Sequence, residues 1–124
     1  SEAAGVQEYL PASGWSGPGA FLGREPGSNG LLLDAAGRLL LCEHGNRRLT
    51  RLEADGTRTV LAERYDGKRL NSPNDVCAGP DGALYFTDPP FGLPRAHEDP
   101  ARELAFCGVY RVRPGGALEL LLDH

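Results

Sequence analysis

The chain has 124 residues, a net charge of −4 and a pI near 5.3. Its longest run of basic residues is the pair Arg47-Arg48, which excludes the electrostatic footprint of a nucleic-acid binder. Apolar runs such as Leu39 to Cys42 fall far short of the roughly 20 residues of a membrane span, so no membrane partner is expected.

Residues 1–27 are rich in Gly, Pro and Ser, and they lack the basic start and apolar stretch of a signal peptide. Residues 1–27 read as an N-terminal segment or a partial strand of a neighbouring blade, with Phe21-Leu22 the candidate strand of a preceding blade or of the ring closure. The compartment stays open: cytoplasm is the expectation, periplasm the alternative. Cys42, Cys77 and Cys107 are widely spaced and offer no CxxC metal pair. Free, partly buried thiols are expected, with one bridge an alternative. The chain contains no Met and ends on an apolar strand-like run, so a partial chain is expected.

An internal repeat follows. Residues 28–43 align with residues 73–88 at an offset of 45 without a gap. Asn29 falls on Asn74, Gly37 on Gly82, Leu39 on Leu84 and Glu43 on Asp88. The match resumes at an offset of 60, where Leu49 to Gly56 meets Val109 to Gly116. Each copy therefore reads as two hairpins turned at Gly-containing pairs such as Asp81-Gly82. The second copy carries 15 extra residues between its hairpins, within 89–106. Four short strands in about 45 residues is the period of a β-propeller blade. An all-β chain of about two four-stranded blades is thus predicted: 28–62, then 73–124 with the insertion at 89–106. A small β-sandwich is the alternative. Blades bury their faces against neighbours, so the expected partners are further blades or other copies of this chain.

A hairpin returns the chain to its starting end. Asn74 and Asp88 are therefore expected at one face of the blade, beneath the insertion, with Asn29 and Glu43 placed likewise one blade earlier. In propellers the first strand lines the central channel, which brings Asn74 to its mouth. Amide and carboxylate oxygens there suit a hard cation such as calcium. A plain Asx turn at Asn74 competes with that reading. His44 is expected to be an exposed loop residue, with the channel side as the alternative, and His97 a solvated loop residue, with a lid role as the alternative. Ser72 lacks a nucleophile-elbow context.

The strings Lys68-Arg69-Leu70-Asn71-Ser72-Pro73-Asn74-Asp75 and Phe86-Thr87-Asp88-Pro89-Pro90-Phe91-Gly92-Leu93, with Cys42-Glu43-His44-Gly45-Asn46-Arg47-Arg48, resemble the gluconolactonase/SMP-30 (regucalcin) family, in its bacterial gluconolactonase-like branch. The resemblance implies a six-bladed propeller that hydrolyses sugar lactones with one divalent cation, usually Ca2+ (Zn2+, Mg2+ and Mn2+ being the others). It makes Asn74 a metal ligand and substrate contact. It sets Asp75, and with it Asp88, behind that ligand or on a structural ion. The family's early Glu motif, later Asn and Asp ligands and acid/base Asp find no match here, so the catalytic residues stay unassigned. Ser72 stands where the animal branch has a substrate-binding Arg, and Arg69 and Asn71 are the candidates to replace it. The small-molecule partner implied is a lactone. An inactive fragment, a non-catalytic binding module and a three-copy ring are the competing readings.

Overall fold

A computed structural model describes residues 5–124. Its first sheet is an antiparallel meander of β1 (Ser28–Leu33), β2 (Leu39–Glu43), β3 (Arg48–Leu52) and β4 (Arg58–Ala62). A small hairpin follows, β5 (Arg64–Tyr65) and β6 (Lys68–Arg69). The second sheet is β7 (Val76–Ala78), β8 (Leu84–Asp88), β9 (Gly108–Val112) and β10 (Leu118–Leu122), again in meander order. Two such four-stranded sheets are blades of a β-propeller.

The outer turns explain the glycines of the repeat. Asp34, Glu53, Gly79 and Arg113 each accept a hydrogen bond from the glycine three residues on, and each donates to the residue four on. This is a three-residue hairpin loop closed by a glycine bulge, not a two-residue turn. Gly37, Gly56, Gly82 and Gly116 all take positive φ, which a side chain would resist. Pro80 and Pro114 occupy the first loop position, where a fixed φ near −65° suits the turn. The β5–β6 hairpin differs. Asp66 and Gly67 both have positive φ, as a two-residue type I′ loop requires.

The core lies between the sheets. Cys42, Leu49 and Ala62 from the first blade meet Val76, Phe86, Tyr110 and Val112 from the second, with Leu70 and Leu104. Phe86 stacks on Tyr110 at 5.2 Å between ring centroids, and Tyr65 tilts onto the same ring at 5.3 Å, so the β5–β6 hairpin covers the aromatic centre. Away from this core, Leu31, Leu33, Val60 and Leu122 are exposed. In a propeller such surfaces pack against the next blade.

Phe21-Leu22 forms no strand. Leu22 is 89% exposed, and Phe21 packs on Trp15 at 5.3 Å. A two-residue apolar run without a partner edge gains no ladder hydrogen bonds, and this segment is satisfied otherwise. It folds over the β2–β3 loop, where Gly14 accepts from the Asn46 N–H (2.7 Å) and Gly27 from the His44 N–H (3.3 Å). Residues 1–4 of the segment lie outside the described residues.

The inner strands of the two blades touch. The Gly30 N–H donates to the Asn74 carbonyl at 2.7 Å. A Cβ on Gly30 would stand 2.7 Å from the Asp75 Cα and 2.8 Å from the Asn74 oxygen. Both are backbone atoms and cannot swing aside. Gly30→Ala is therefore expected to destabilise the protein by about 1–3 kcal/mol, the usual cost of overpacking. Denaturant unfolding checks this, with Gly37→Ala at an open turn as the reference for a conformational cost alone.

Candidate functional site

The site is built where the two inner strands meet. Asn74 precedes β7, and its backbone N–H donates to Thr87 at 2.9 Å, extending the β7–β8 ladder toward Asp88. Its side chain makes no Asx turn. The Asn74 amide nitrogen lies 3.2 Å from His44 Nε2, and the Asn29 amide nitrogen lies 3.4 Å from the same atom. The other ring nitrogen, Nδ1, lies 3.1 Å from the Glu25 carboxylate. Sequence aligns Asn29 with Asn74, and the fold joins them through one histidine.

His44 was expected to be an exposed loop residue. It is 1% exposed. The β2–β3 loop is capped by the N-terminal segment and by the insertion, because a Cβ on Gly92 would stand 2.9 Å from the His44 carbonyl and 3.0 Å from its Cβ. Burial lowers the imidazole pKa, against the opposing pull of Glu25. In the neutral ring that burial favours, Nδ1 donates to Glu25 and Nε2 faces the two amides as an acceptor. No sequence motif marks this arrangement. Only the Glu43-His44-Gly45-Asn46 string hinted at it.

Other sequence candidates fall elsewhere. Asp75 is exposed, and its carboxylate accepts its neighbour's Val76 N–H at 2.9 Å. Arg69 is half-buried and donates to the Asn46 carbonyl at 3.3 Å. Asn71 is fully buried. Its amide nitrogen donates to the Asp88 and Phe106 carbonyls, both at 2.9 Å, and its Oδ1 faces Arg102 Nε at 3.4 Å. Asn71 is thus committed to the framework and presents no atom to a substrate. Arg47, at φ 60°, completes that framework, donating to the Leu70, Asn71 and Ala101 carbonyls. Ser72 ties down the insertion, with Oγ donating to the Pro89 carbonyl (2.5 Å) and accepting the Gly92 N–H (2.8 Å). His97 is exposed and edges onto Phe91. Cys42, Cys77 and Cys107 are all free, and burial pushes the Cys42 thiol up to about 12.

The two aligned carboxylates differ in state. Glu43 is fully buried and meets Arg48 and Arg58, both at 3.0 Å, with Asn46 at 2.6 Å and Thr50. Asp88 is equally buried, yet only Oδ2 is partnered, by the Asn71 N–H at 2.7 Å. Burial raises its pKa to about 7, although the backbone N–H groups of Asn71 and Ser72 pull the other way. Neither carboxylate is open to a bound molecule.

Among the described residues, no group of three or more His, Cys, Asp and Glu comes together as a metal site. The donors that do converge are amides. With its nitrogen toward His44, the Asn74 amide keeps its oxygen free of that contact. An amide oxygen is a neutral hard donor of the kind calcium accepts, and one such oxygen is a small part of a shell of six to eight.

The chain belongs to the SMP-30/gluconolactonase/LRE-like family, whose sequence model matches residues 10–124. It is 40% identical over 122 residues to a gluconolactonase of Zymomonas mobilis, covering 95% of this chain and 34% of that protein. A solved Xanthomonas campestris gluconolactonase is 48% identical, with a TM-score of 0.69 over 79% of this chain and 34% of that one. A virginiamycin B lyase from Staphylococcus aureus, 15% identical, shares the propeller fold alone, with a TM-score of 0.52 over 77% of this chain and 26% of that one. The chain thus spans about a third of the length of these gluconolactonases.

Two expectations follow from the carboxylates. Glu43→Ala leaves Arg48 and Arg58 facing an emptied buried site, and an unfolding free energy lower by about 3–5 kcal/mol is expected. For Asp88, the folded pKa near 7 lies above the ordinary carboxylate value of about 4. Its contribution is full below the ordinary value and is lost as pH rises through the folded one. Unfolding measured from pH 4 to 8 should show this loss in the native protein and not in Asp88→Asn. Parallel profiles for the two proteins would contradict the assignment.

Proposed function

We propose that this chain forms part of a divalent-cation-dependent hydrolase of sugar lactones, with calcium as the cation and Asn74 as one of its ligands. The observation that carries the reading is the orientation of Asn74. Its nitrogen is held by buried His44, so its oxygen is available where the inner strands of two blades meet. Membership of the family and two gluconolactonase relatives at 40% and 48% identity support the lactone as substrate.

A cation held there would supply Lewis acidity to the lactone carbonyl and to the negative charge that develops on its oxygen. The described residues prepare that site. Asn74 is a neutral ligand, so it leaves the charge of the ion available. Asp75, directly beside it, adds negative potential near the same face. Asp88, sealed beneath the insertion, is too enclosed to move a proton to or from a substrate. Zn2+, Mg2+ and Mn2+ are the alternative ions. The acid/base group belongs to blades other than these two.

The partners proposed are the remaining blades of the propeller, which would cover Leu31, Leu33, Val60 and Leu122. In the intact protein, removal of divalent ions should abolish gluconolactone opening, and calcium should restore it. Asn74→Ala should lower kcat/KM by about 100-fold or more, the scale of losing one group that stabilises the transition-state charge. Full activity in chelator, or an unaffected Asn74→Ala variant, overturns the reading.

A further inference from the structure

We propose that His44 is a positioning residue, whose Nε2 lone pair turns the amide oxygens of Asn29 and Asn74 together toward one divalent cation and so makes Asn29 a second amide donor.

Three observations carry this. Both amide nitrogens approach one ring atom, at 3.4 Å and 3.2 Å. The opposite ring nitrogen faces the Glu25 carboxylate at 3.1 Å, and a carboxylate accepts only. In the neutral ring Nδ1 therefore carries the proton, and Nε2 has only a lone pair to offer. An amide approaching that lone pair must present its NH2. The amide oxygen is then the atom left free of the ring. The orientation of both asparagines is thus dictated by the histidine tautomer, and the tautomer by Glu25.

The clamp is also fixed in space. His44 is 1% exposed and Gly92 presses on its backbone, so the ring cannot swing out. Asn29 and Asn74 belong to different blades, and the Gly30 N–H bond to the Asn74 carbonyl holds those blades together beside the ring. One imidazole therefore aligns one donor from each blade. Amide oxygens are among the donors a hard cation takes, alongside carboxylates, backbone carbonyls and water. Groups that orient metal ligands in this way typically govern affinity by 10–100-fold.

This inference takes its cation from the function proposed above, and the test separates the two. In the intact, 15N-histidine-labelled protein, two-bond 15N–1H correlation spectra report the His44 tautomer, with His44→Phe identifying the resonance. Protonated Nδ1 with bare Nε2 is expected, and protonated Nε2 overturns the clamp. Calcium binding is then measured by calorimetry on His44→Gln, whose Oε1 supplies an acceptor near the place of Nε2, and on His44→Leu, which supplies none. Calcium affinity should fall about 10-fold or more in His44→Leu. It should remain within about threefold of native in His44→Gln, a small part of that effect. Equal losses in both folded variants would mean that His44 only fills space, and would overturn the proposal. Asn29→Ala should weaken calcium binding as Asn74→Ala does. If Asn74→Ala weakens it and Asn29→Ala does not, the second donor is refuted while the lactonase reading stands. If the native protein binds no divalent ion, the cation reading and the cation part of this proposal fall together, and the spectra decide the amide clamp alone.

Discussion

The close approach of the two inner strands at Gly30 is the constraint on which the rest of this structure depends. A single backbone bond, from the Gly30 N–H to the Asn74 carbonyl, holds the start of one blade against the start of the next. The distance is possible only because residue 30 has no Cβ to meet the Asp75 backbone. Once the strands are this close, Asn29 and Asn74 flank the same point. The histidine leaving β2 reaches both. Farther out, the same approach closes the faces of the sheets over Cys42, Leu49, Phe86 and Tyr110.

The polar framework behind the site solves a related problem. The insertion at 89–106 has little regular structure, only short 3-10 turns at Pro90–Gly92 and Ala96–Glu98. Its backbone groups need partners as it crosses the blade mouth. Ser72, Asn71 and Arg47 provide them, through bonds to Pro89, Gly92, Ala101 and Phe106. The segment resembling the family motif is therefore mostly scaffold. Of Asn71, Ser72 and Asn74, the first two are spent holding the insertion, and Asn74 retains an available oxygen. Equivalent blade positions have also diverged. Glu43 is saturated by two guanidinium groups, whereas Asp88 has one satisfied oxygen and a pKa near 7. Arg48 and Arg58 meet Glu43 in the first blade, whereas the Asp88 carboxylate of the second is met by the Asn71 backbone N–H.

Much of the architecture was legible in the order of residues. The 45-residue offset set the repeat, and the glycines at 37, 56, 82 and 116 set the hairpins, because positive φ at those points is a local demand. The family strings carried the fold. The placing of Asn74 beside the β8 end also followed from the chain simply returning on itself. The exact turn, a three-residue loop with a glycine bulge, was beyond reach of dipeptide signals. Phe21-Leu22 takes no strand in this chain, where Phe21 packs on Trp15 instead.

Sequence by itself determined that this is an all-β chain of repeated hairpins with an amide at the head of each inner strand. Periodicity and glycine placement are local properties, and they survive in one dimension. Tertiary structure alone decided what those amides do. Whether His44 is exposed or enclosed depends on the N-terminal segment and on Gly92, far away in the chain. Which ring nitrogen carries the proton depends on Glu25, 19 residues upstream. Asn74-Asp75 is visible as a motif, but the contact of its amide with His44 is one that no spacing encodes, because hydrogen-bond direction is fixed only when all the partners are in place.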